Sequence, residues 1–319
     1  MVNATIKARI EQIKYECEGI ISLELIPVNQ NSFPAFSAGS HIDIKLPNGH
    51  TRSYSLTNAP NQYDRYNIAV KLEEDSKGGS AWFHHEARVG MEIQTLPPSN
   101  DFEMVPSDKM TVLFAAGIGI TPILSMIAKL NSENHAWTLH YSAKTKRQRA
   151  FFPLLEKLRE NSNGQIHYYL TAEESSRMDL QAIMQASPEG THFYCCGPAS
   201  FINVFIEAGQ NHPTENIHFE RFSASQEAAT DGGYSIHLAR DGRTLPVEAG
   251  QSILDVLLDS GIDVQYACSE GVCGTCKTTV LDGIPDHRDD CLTDEEKAQN
   301  KAIMVCCSGS LSKTLTLDL

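Results

Sequence analysis

Short stretches rich in β-branched and aromatic residues recur through the first third of the chain: Thr5 to Ile13, Ile20 to Val28, His41 to Leu46, Arg52 to Leu56, Tyr66 to Leu72 and Met91 to Leu96. Turn residues punctuate them, notably Pro47-Asn48-Gly49 and Lys77-Gly78-Gly79. Strands this short at such spacing predict a small antiparallel β-barrel. Ser80 to Ala87 reads as one short helix within it.

From Lys109 the rhythm changes to strand then helix. Met110 to Ala116 precedes a helix from Pro122, Trp137 to Ser142 precedes a helix over Phe152 to Asn161, and Ile166 to Thr171 follows. His192 to Cys196 then leads into a helix over Ala199 to Ala208, and Ile217 to Phe222 closes the unit. Such alternation predicts a parallel sheet with helices on its faces. Ser223 to Gly233 is small, polar and glycine-ended, which is linker composition. Beyond it, Tyr234 to Leu238 and Arg243 to Val247 flank Arg240-Asp241-Gly242 as a hairpin, and Ile253 to Ser260 carries a helical apolar stripe. The expected division is a barrel over 1–106, an α/β unit over 107–224, a linker over 225–232 and an α+β domain over 233–319.

A chain of 319 residues has room for two or three cores of roughly 100 residues each. Met110 to Ala128 carries no charge and approaches the length of a membrane span. Gly117, Gly119, Thr121 and Pro122 interrupt it, as expected of a buried strand, a tight loop and a helix start. The net charge of -14 argues against nucleic acid or an anionic membrane as partner. Half of that excess falls in residues 233–319, and the acids between Cys276 and Cys306 would either steer a basic partner or simply solubilise the surface. Met1 to Ile10 has no apolar core of a secretory signal, so a cytoplasmic protein is expected. Nine cysteines in that setting do not suggest a disulfide framework.

Five of the cysteines gather near the C-terminus. Cys268, Cys273 and Cys276 form C-x4-C-x2-C, with Cys306 downstream, the spacing of a plant-type 2Fe-2S site. Two irons need four thiolates from a loop and a distant strand, and Gly271 and Gly274 let the loop wrap so that its N–H groups face sulfur. A structural zinc site is the competing reading; its ligands usually come as two C-x2-C pairs or mixed Cys and His sets, and only one such pair occurs here. Cys307 rivals Cys306 as fourth ligand, since adjacent residues in a strand over Ala302 to Ser308 would point to opposite faces.

Two further sites suit a flavin and a nicotinamide. Arg52, Tyr54 and Ser55 in R-x-Y-S-L offer a cation for a phosphate, a flat ring and a small donor. In Gly117-Ile118-Gly119-Ile120-Thr121-Pro122, bare glycines would admit a pyrophosphate to a helix N-terminus, with Thr121 as N-cap and Pro122 in the first helical position. Cys195-Cys196-Gly197-Pro198 ends another strand of the same unit and should face the same crevice, with Cys195 a buried strand residue.

Taken together, R-x-Y-S-L, G-I-G-I-T-P, C-C-G-P, H-F-E-R-F and the cysteine motif, in that order along the whole chain, resemble the phthalate dioxygenase reductase family, which includes vanillate O-demethylase reductases. The resemblance implies a flavin barrel, an NAD domain and a ferredoxin domain, with FMN, NADH and a 2Fe-2S cluster as cofactors. It implies a Rieske-type terminal oxygenase as partner and a monomer in isolation. It further implies that Arg52, Tyr54 and Ser55 hold FMN, with Ala69, Val70, Lys71, Gly79 and Ser80 closing around ring and phosphate. By the same token Gly117, Gly119, Thr121, Cys196, Gly197 and Pro198 line the nicotinamide side, Phe222 stacks at the flavin, and Cys268, Cys273, Cys276 and Cys306 hold the cluster. No general acid or base is demanded, because the protein stacks nicotinamide on flavin and holds the cluster close. Competing readings are an FAD reductase serving a non-Rieske hydroxylase and a zinc-bearing binding or sensing protein. Lys144, Lys146, Arg147 and Arg149 sit where a 2′-phosphate would be read, which keeps NADPH open beside NADH. Aromatic acids, methoxy-aromatics and quaternary amines such as carnitine are all open as the oxygenase's substrate.

Overall fold

The computed structural model describes residues 5–73, 78–160, 162–173 and 177–319. Lys77 of the expected turn and Asn161 at the end of the expected helix lie outside them. Contacts divide the chain into two compact units, Met1–Arg221 and Phe222–Leu319.

The first unit carries two sheets. Strands β1 (Ile6–Cys17), β2 (Ile20–Pro27), β3 (His41–Lys45), β4 (Thr51–Ser55), β5 (Tyr66–Lys71) and β6 (Glu92–Thr95) form an antiparallel sheet in the order β4-β3-β6-β1-β2-β5. Alternating side chains from these strands, among them Ile10, Leu23, Leu25, Ile42, Ile44 and Ile68, build one core. The helix α1 (Gly79–His85) covers it with Trp82 and Phe83. The expected barrel is therefore seen as an antiparallel sheet whose edges are β4 and β5, with no ladder between those edges among the described residues.

The second sheet is parallel, in the order β11-β10-β7-β8-β9. It comprises β7 (Thr111–Ala116), β8 (Trp137–Ala143), β9 (Gly164–Leu170), β10 (His192–Gly197) and β11 (Ile217–Arg221). Helices α2 (Ile120–Ser132), α3 (Phe152–Glu160), α4 (Leu180–Ala186) and α5 (Ala199–Gly209) connect the strands. Every residue of β7 is buried, as a central strand with both faces covered requires. The uncharged run thus divides into β7, the turn Gly117–Gly119 and α2; among the described residues no helix is long and apolar enough to cross a membrane.

The second unit pairs β12 (Tyr234–Leu238) with β13 (Thr244–Val247) as the expected hairpin. It adds α6 (Ile253–Asp259), β14 (Lys277–Asp282), β15 (Pro285–Asp286), α7 (Asp294–Gln299), β16 (Ala302–Met304), β17 (Gly309–Ser310) and β18 (Thr314–Leu317). The main sheet runs β13-β12-β18-β14-β16, and β15 pairs with β17. Capping boxes start both helices, Ser252 with Asp255 and Thr293 with Glu296. The strand expected over Ala302 to Ser308 stops at Met304: the N–H groups of Cys307 and Ser308 both turn back to the Met304 carbonyl, at 3.3 and 3.0 Å. Cys306 and Cys307 therefore sit in a turn, and strand alternation does not set where their side chains point.

Candidate functional site

In a doubly wound sheet ligands bind at the strand C-termini where the order reverses. Here that point lies between β7 and β10: the chain passes from β7 to β8 and β9 on one side, and β10 and β11 lie on the other. The two strand ends meet closely. A Cβ on Gly119 would stand 2.2 Å from the Cys196 carbonyl oxygen and 2.6 Å from the Gly197 nitrogen, so only glycine fits. Gly117 takes φ 57°, a left-handed conformation that glycine adopts freely, and the Tyr141 hydroxyl donates to its carbonyl at 3.2 Å. Gly117, Gly119, Thr121, Cys196 and Gly197 are thus brought to one place, and Pro198 caps α5 beside them. Thr121 is not the N-cap it was expected to be. The turn Gly117–Gly119 runs straight into α2, which begins at Ile120 with Gly119 as cap, and the Thr121 hydroxyl bonds back to the Ile118 carbonyl at 3.0 Å.

Sequence reasoning gave no role to Glu220, which lies directly across from Cys196 in the β10–β11 register. The Cys196 thiol points at the Glu220 carboxylate, 3.9 Å away. Burial raises that carboxyl to about 8, and the negative charge of Asp101 adds to the rise. Burial likewise drives the thiols of Cys195 and Cys196 upward, so both are neutral. Asp101 is far off in sequence and supplies no local signal for this pairing.

The expected flavin residues come from opposite edges of the antiparallel sheet, Arg52, Tyr54 and Ser55 from β4 and Ala69, Val70 and Lys71 from β5. Helix α1 joins the edges. The Arg52 side chain lies across bare Gly79, where a Cβ would come within 2.8 Å of its Cγ and Nε. On the β5 side, the Ser80 hydroxyl accepts from the Glu73 N–H at 3.2 Å and the His84 ring meets the Val70 carbonyl at 3.0 Å. Tyr54 packs edge-on against Phe83 at 5.2 Å, and burial holds its hydroxyl protonated. Lys71 pairs with Glu73 at the surface. Strand β5 also packs against the turn Gly117–Gly119, which puts this bed beside the β7–β10 crevice.

At the end of β8, Lys144, Lys146 and Arg147 are exposed. The Arg149 guanidinium lies instead over the Phe152 ring at 3.6 Å and the Tyr168 ring at 4.5 Å, a cation–π seat. Glu173, at the end of β9, accepts from the Lys146 N–H at 2.9 Å. Phe222 is the first residue of the second unit.

Within the second unit the four expected cysteines converge: the Cys268 side chain lies against those of Cys273 and Cys306, and Cys306 also meets Cys276. The loop wraps through left-handed residues at Ser269, Gly271 and Gly274. The Glu270 N–H lies 3.3 Å from the Cys268 sulfur and the Cys268 N–H 3.5 Å from that of Cys273. A Cβ on Gly271 would stand 2.5 Å from the Cys307 sulfur, so Cys307 packs behind the loop, while Cys306 meets Cys268 and Cys276 as well as Cys307. This donor set, four converging thiols with amides aimed at sulfur, fits a bridged pair of irons.

Comparison with known proteins agrees with this reading. Residues 113–206 match the oxidoreductase NAD-binding domain family and residues 236–309 the 2Fe-2S iron-sulfur cluster binding domain family. The phenoxybenzoate dioxygenase subunit beta of Ectopseudomonas oleovorans is 45% identical over 316 residues, covering 99% of this chain and 98% of that protein. The solved structure of phthalate dioxygenase reductase, described as modular for electron transfer from pyridine nucleotides to [2Fe-2S], superposes with a TM-score of 0.85 at 32% identity over 99% of this chain and 98% of that one. The chain belongs to the phthalate dioxygenase reductase family.

Tetrachlorobenzoquinone reductase of Sphingobium chlorophenolicum is also similar, 41% identical over 319 residues, covering 99% of this chain and 98% of that protein. In this chain the NAD-binding match includes the β7 and β10 ends and the 2Fe-2S match includes the four-cysteine loop, so it is an oxidoreductase with both domains on one chain.

Proposed function

We propose that this reductase passes electrons from NADH, through FMN and a 2Fe-2S cluster, to a separate Rieske-type terminal oxygenase. The observation that carries the proposal is the presence on one chain of a pyridine-nucleotide crevice at the β7 and β10 ends and a four-thiol loop of plant-type spacing. When bound, FMN would supply hydride acceptance from NADH with release of single electrons, and the 2Fe-2S cluster would supply one-electron acceptance.

Arg52 anchors the FMN phosphate, Tyr54 and Ser55 meet the ring, and Ala69, Val70, Lys71, Gly79 and Ser80 close around it. Gly117, Gly119, Thr121, Cys196, Gly197 and Pro198 receive the nicotinamide half of NADH, and Phe222 covers the flavin until the nicotinamide displaces it. Cys268, Cys273, Cys276 and Cys306 ligate the cluster. On this reading residues 1–106 are the FMN domain, its strands closing as a barrel; 107–224 are the NAD domain, 225–232 the linker and 233–319 the ferredoxin domain. The protein is a cytoplasmic monomer that works away from membranes and nucleic acid, and the oxygenase component, as in the phenoxybenzoate system of the relative's name, is its electron acceptor.

The similarity to tetrachlorobenzoquinone reductase favours a second reading, in which a quinone is reduced directly. One experiment separates the two. The purified protein is assayed with NADH against a Rieske oxygenase and against a substituted benzoquinone, and its flavin is released and identified. Oxygenase-coupled NADH oxidation with FMN as the released flavin supports the proposal. Rapid quinone turnover with no coupling to any Rieske oxygenase supports the alternative.

A further inference from the structure

The motif His287-Arg288-Asp289-Asp290 has no part in the function described so far, yet Asp289 is a fully buried carboxylate, 1% exposed. One of its oxygens accepts from the N–H groups of Cys291 at 3.2 Å and Leu292 at 2.8 Å. The other accepts from the Ser308 hydroxyl at 3.3 Å, and Ser308 in turn accepts from the Arg288 N–H at 3.0 Å. Residues 288–292 are tied equally to the cysteine loop, because the Asp290 N–H and the Cys291 thiol both donate to the Gly271 carbonyl, at 3.0 and 3.1 Å. This strap therefore spans the two chain segments that bear the thiols: the loop with Cys268, Cys273 and Cys276, and the turn with Cys306.

We infer that Asp289 is a positioning residue for the cluster, fixing the turn of Cys306 against the loop of the other three thiols through Ser308. A buried carboxylate is costly to desolvate and is retained where several donors converge on it. Here the hydrogen-bond donors belong to the strap and to the Cys306 turn, and the His287 ring lies beside the Ser308-facing oxygen, its Nδ1 3.7 Å away. The two segments are far apart in sequence and their mutual placement depends on such long-range ties. The inference rests on the assignment of these four cysteines to a 2Fe-2S cluster.

The test uses the full-length protein as purified, with Asp289→Ala, Asp289→Asn and Ser308→Ala. Iron and flavin per chain, the EPR spectrum of the dithionite-reduced protein and the rate of iron loss to a chelator are measured for each. Asp289→Ala is expected to lose iron about tenfold faster or more and to alter the EPR spectrum, since hydrogen bonds to a buried charge are the stronger kind. Asp289→Asn keeps a carbonyl oxygen for the two N–H groups and offers its NH2 to Ser308, so it should restore most of the retention. Ser308→Ala, which cuts only the tie to the turn, should fall between them, and it carries the test if Asp289→Ala yields no folded protein. Wild-type iron retention and an unchanged spectrum in Asp289→Ala and Ser308→Ala overturn the inference, as does Asp289→Asn failing as fully as Asp289→Ala. Wild-type protein without iron would instead refute the cluster assignment itself.

Discussion

Gly119→Ala is the most informative single change in the first unit. Its Cβ would lie 2.2 Å from the Cys196 carbonyl oxygen, 2.4 Å from the carbonyl carbon and 2.6 Å from the Gly197 nitrogen, all backbone atoms that cannot swing aside. Ordinary contact begins near 3.4 Å, so the turn before α2 and the end of β10 must separate by about 1 Å. Overpacking of this kind costs about 1–3 kcal/mol of stability. A misplacement of about 1 Å in the reacting geometry costs about 10²-fold in rate. Anaerobic stopped-flow reduction of the bound flavin by NADH should therefore slow by about 100-fold, while flavin and iron content stay near wild type. Gly117→Ala is the comparison: its Cβ meets nothing within 4 Å, and the cost is the left-handed backbone alone, about 1–2 kcal/mol. Its rate should fall much less than that of Gly119→Ala. Wild-type flavin reduction in Gly119→Ala would refute the claim that the β7 and β10 ends form the nicotinamide site.

Cys306→Ser should abolish the cluster and cytochrome c reduction while NADH still reduces the flavin, and Cys307→Ser should keep the cluster; the opposite pattern in visible absorbance reverses the ligand assignment. Arg52→Ala should release FMN on gel filtration, since a charge-assisted contact to phosphate is among the stronger single anchors, and full flavin occupancy would place the phosphate elsewhere. Acid should weaken the parallel sheet. Burial, with His167 adding, lowers His140 to about 4, and burial, with His192 adding, does the same to His218. Folded-state values below the ordinary 6.5 mean that stability is full above pH 6.5 and is lost as pH falls from there toward 4. Buried His140 alone accounts for about 3 kcal/mol of that loss. Urea unfolding followed by Trp137 fluorescence in a Trp82→Phe background measures it, and a midpoint that is flat between pH 7 and pH 4 contradicts it.

Features built from local spacing were legible in the sequence. The C-x4-C-x2-C loop lies in the segment matched by the 2Fe-2S domain family, and the glycines after β7 meet the Cys196-Gly197 strand end in the segment matched by the NAD-binding family. Elements decided by long-range contacts were less legible. Cys306 lies in a turn because the N–H groups of Cys307 and Ser308 bond back to the Met304 carbonyl, against the strand preference that Ile303 and Val305 signal. The role of Glu220 depends on burial and on Asp101. The acids between Cys276 and Cys306 looked alike on paper, but Asp289 is buried, Asp290 bonds to the Ser225 backbone and hydroxyl, and Asp286 pairs with Arg288. The starts of two helices are also local in origin, with Asp179 as the N-cap of α4 and the Thr293–Glu296 capping box opening α7.

That one chain takes a hydride at its flavin and delivers single electrons through its cluster is tested most directly by an anaerobic titration of the purified protein with NADH, followed by visible absorbance and EPR. Two electrons for the flavin and one for the cluster predict about 1.5 NADH per chain at completion, with a reduced-cluster EPR signal growing in. A titration that ends at one NADH, with the flavin bleached and the cluster still oxidised, would contradict it.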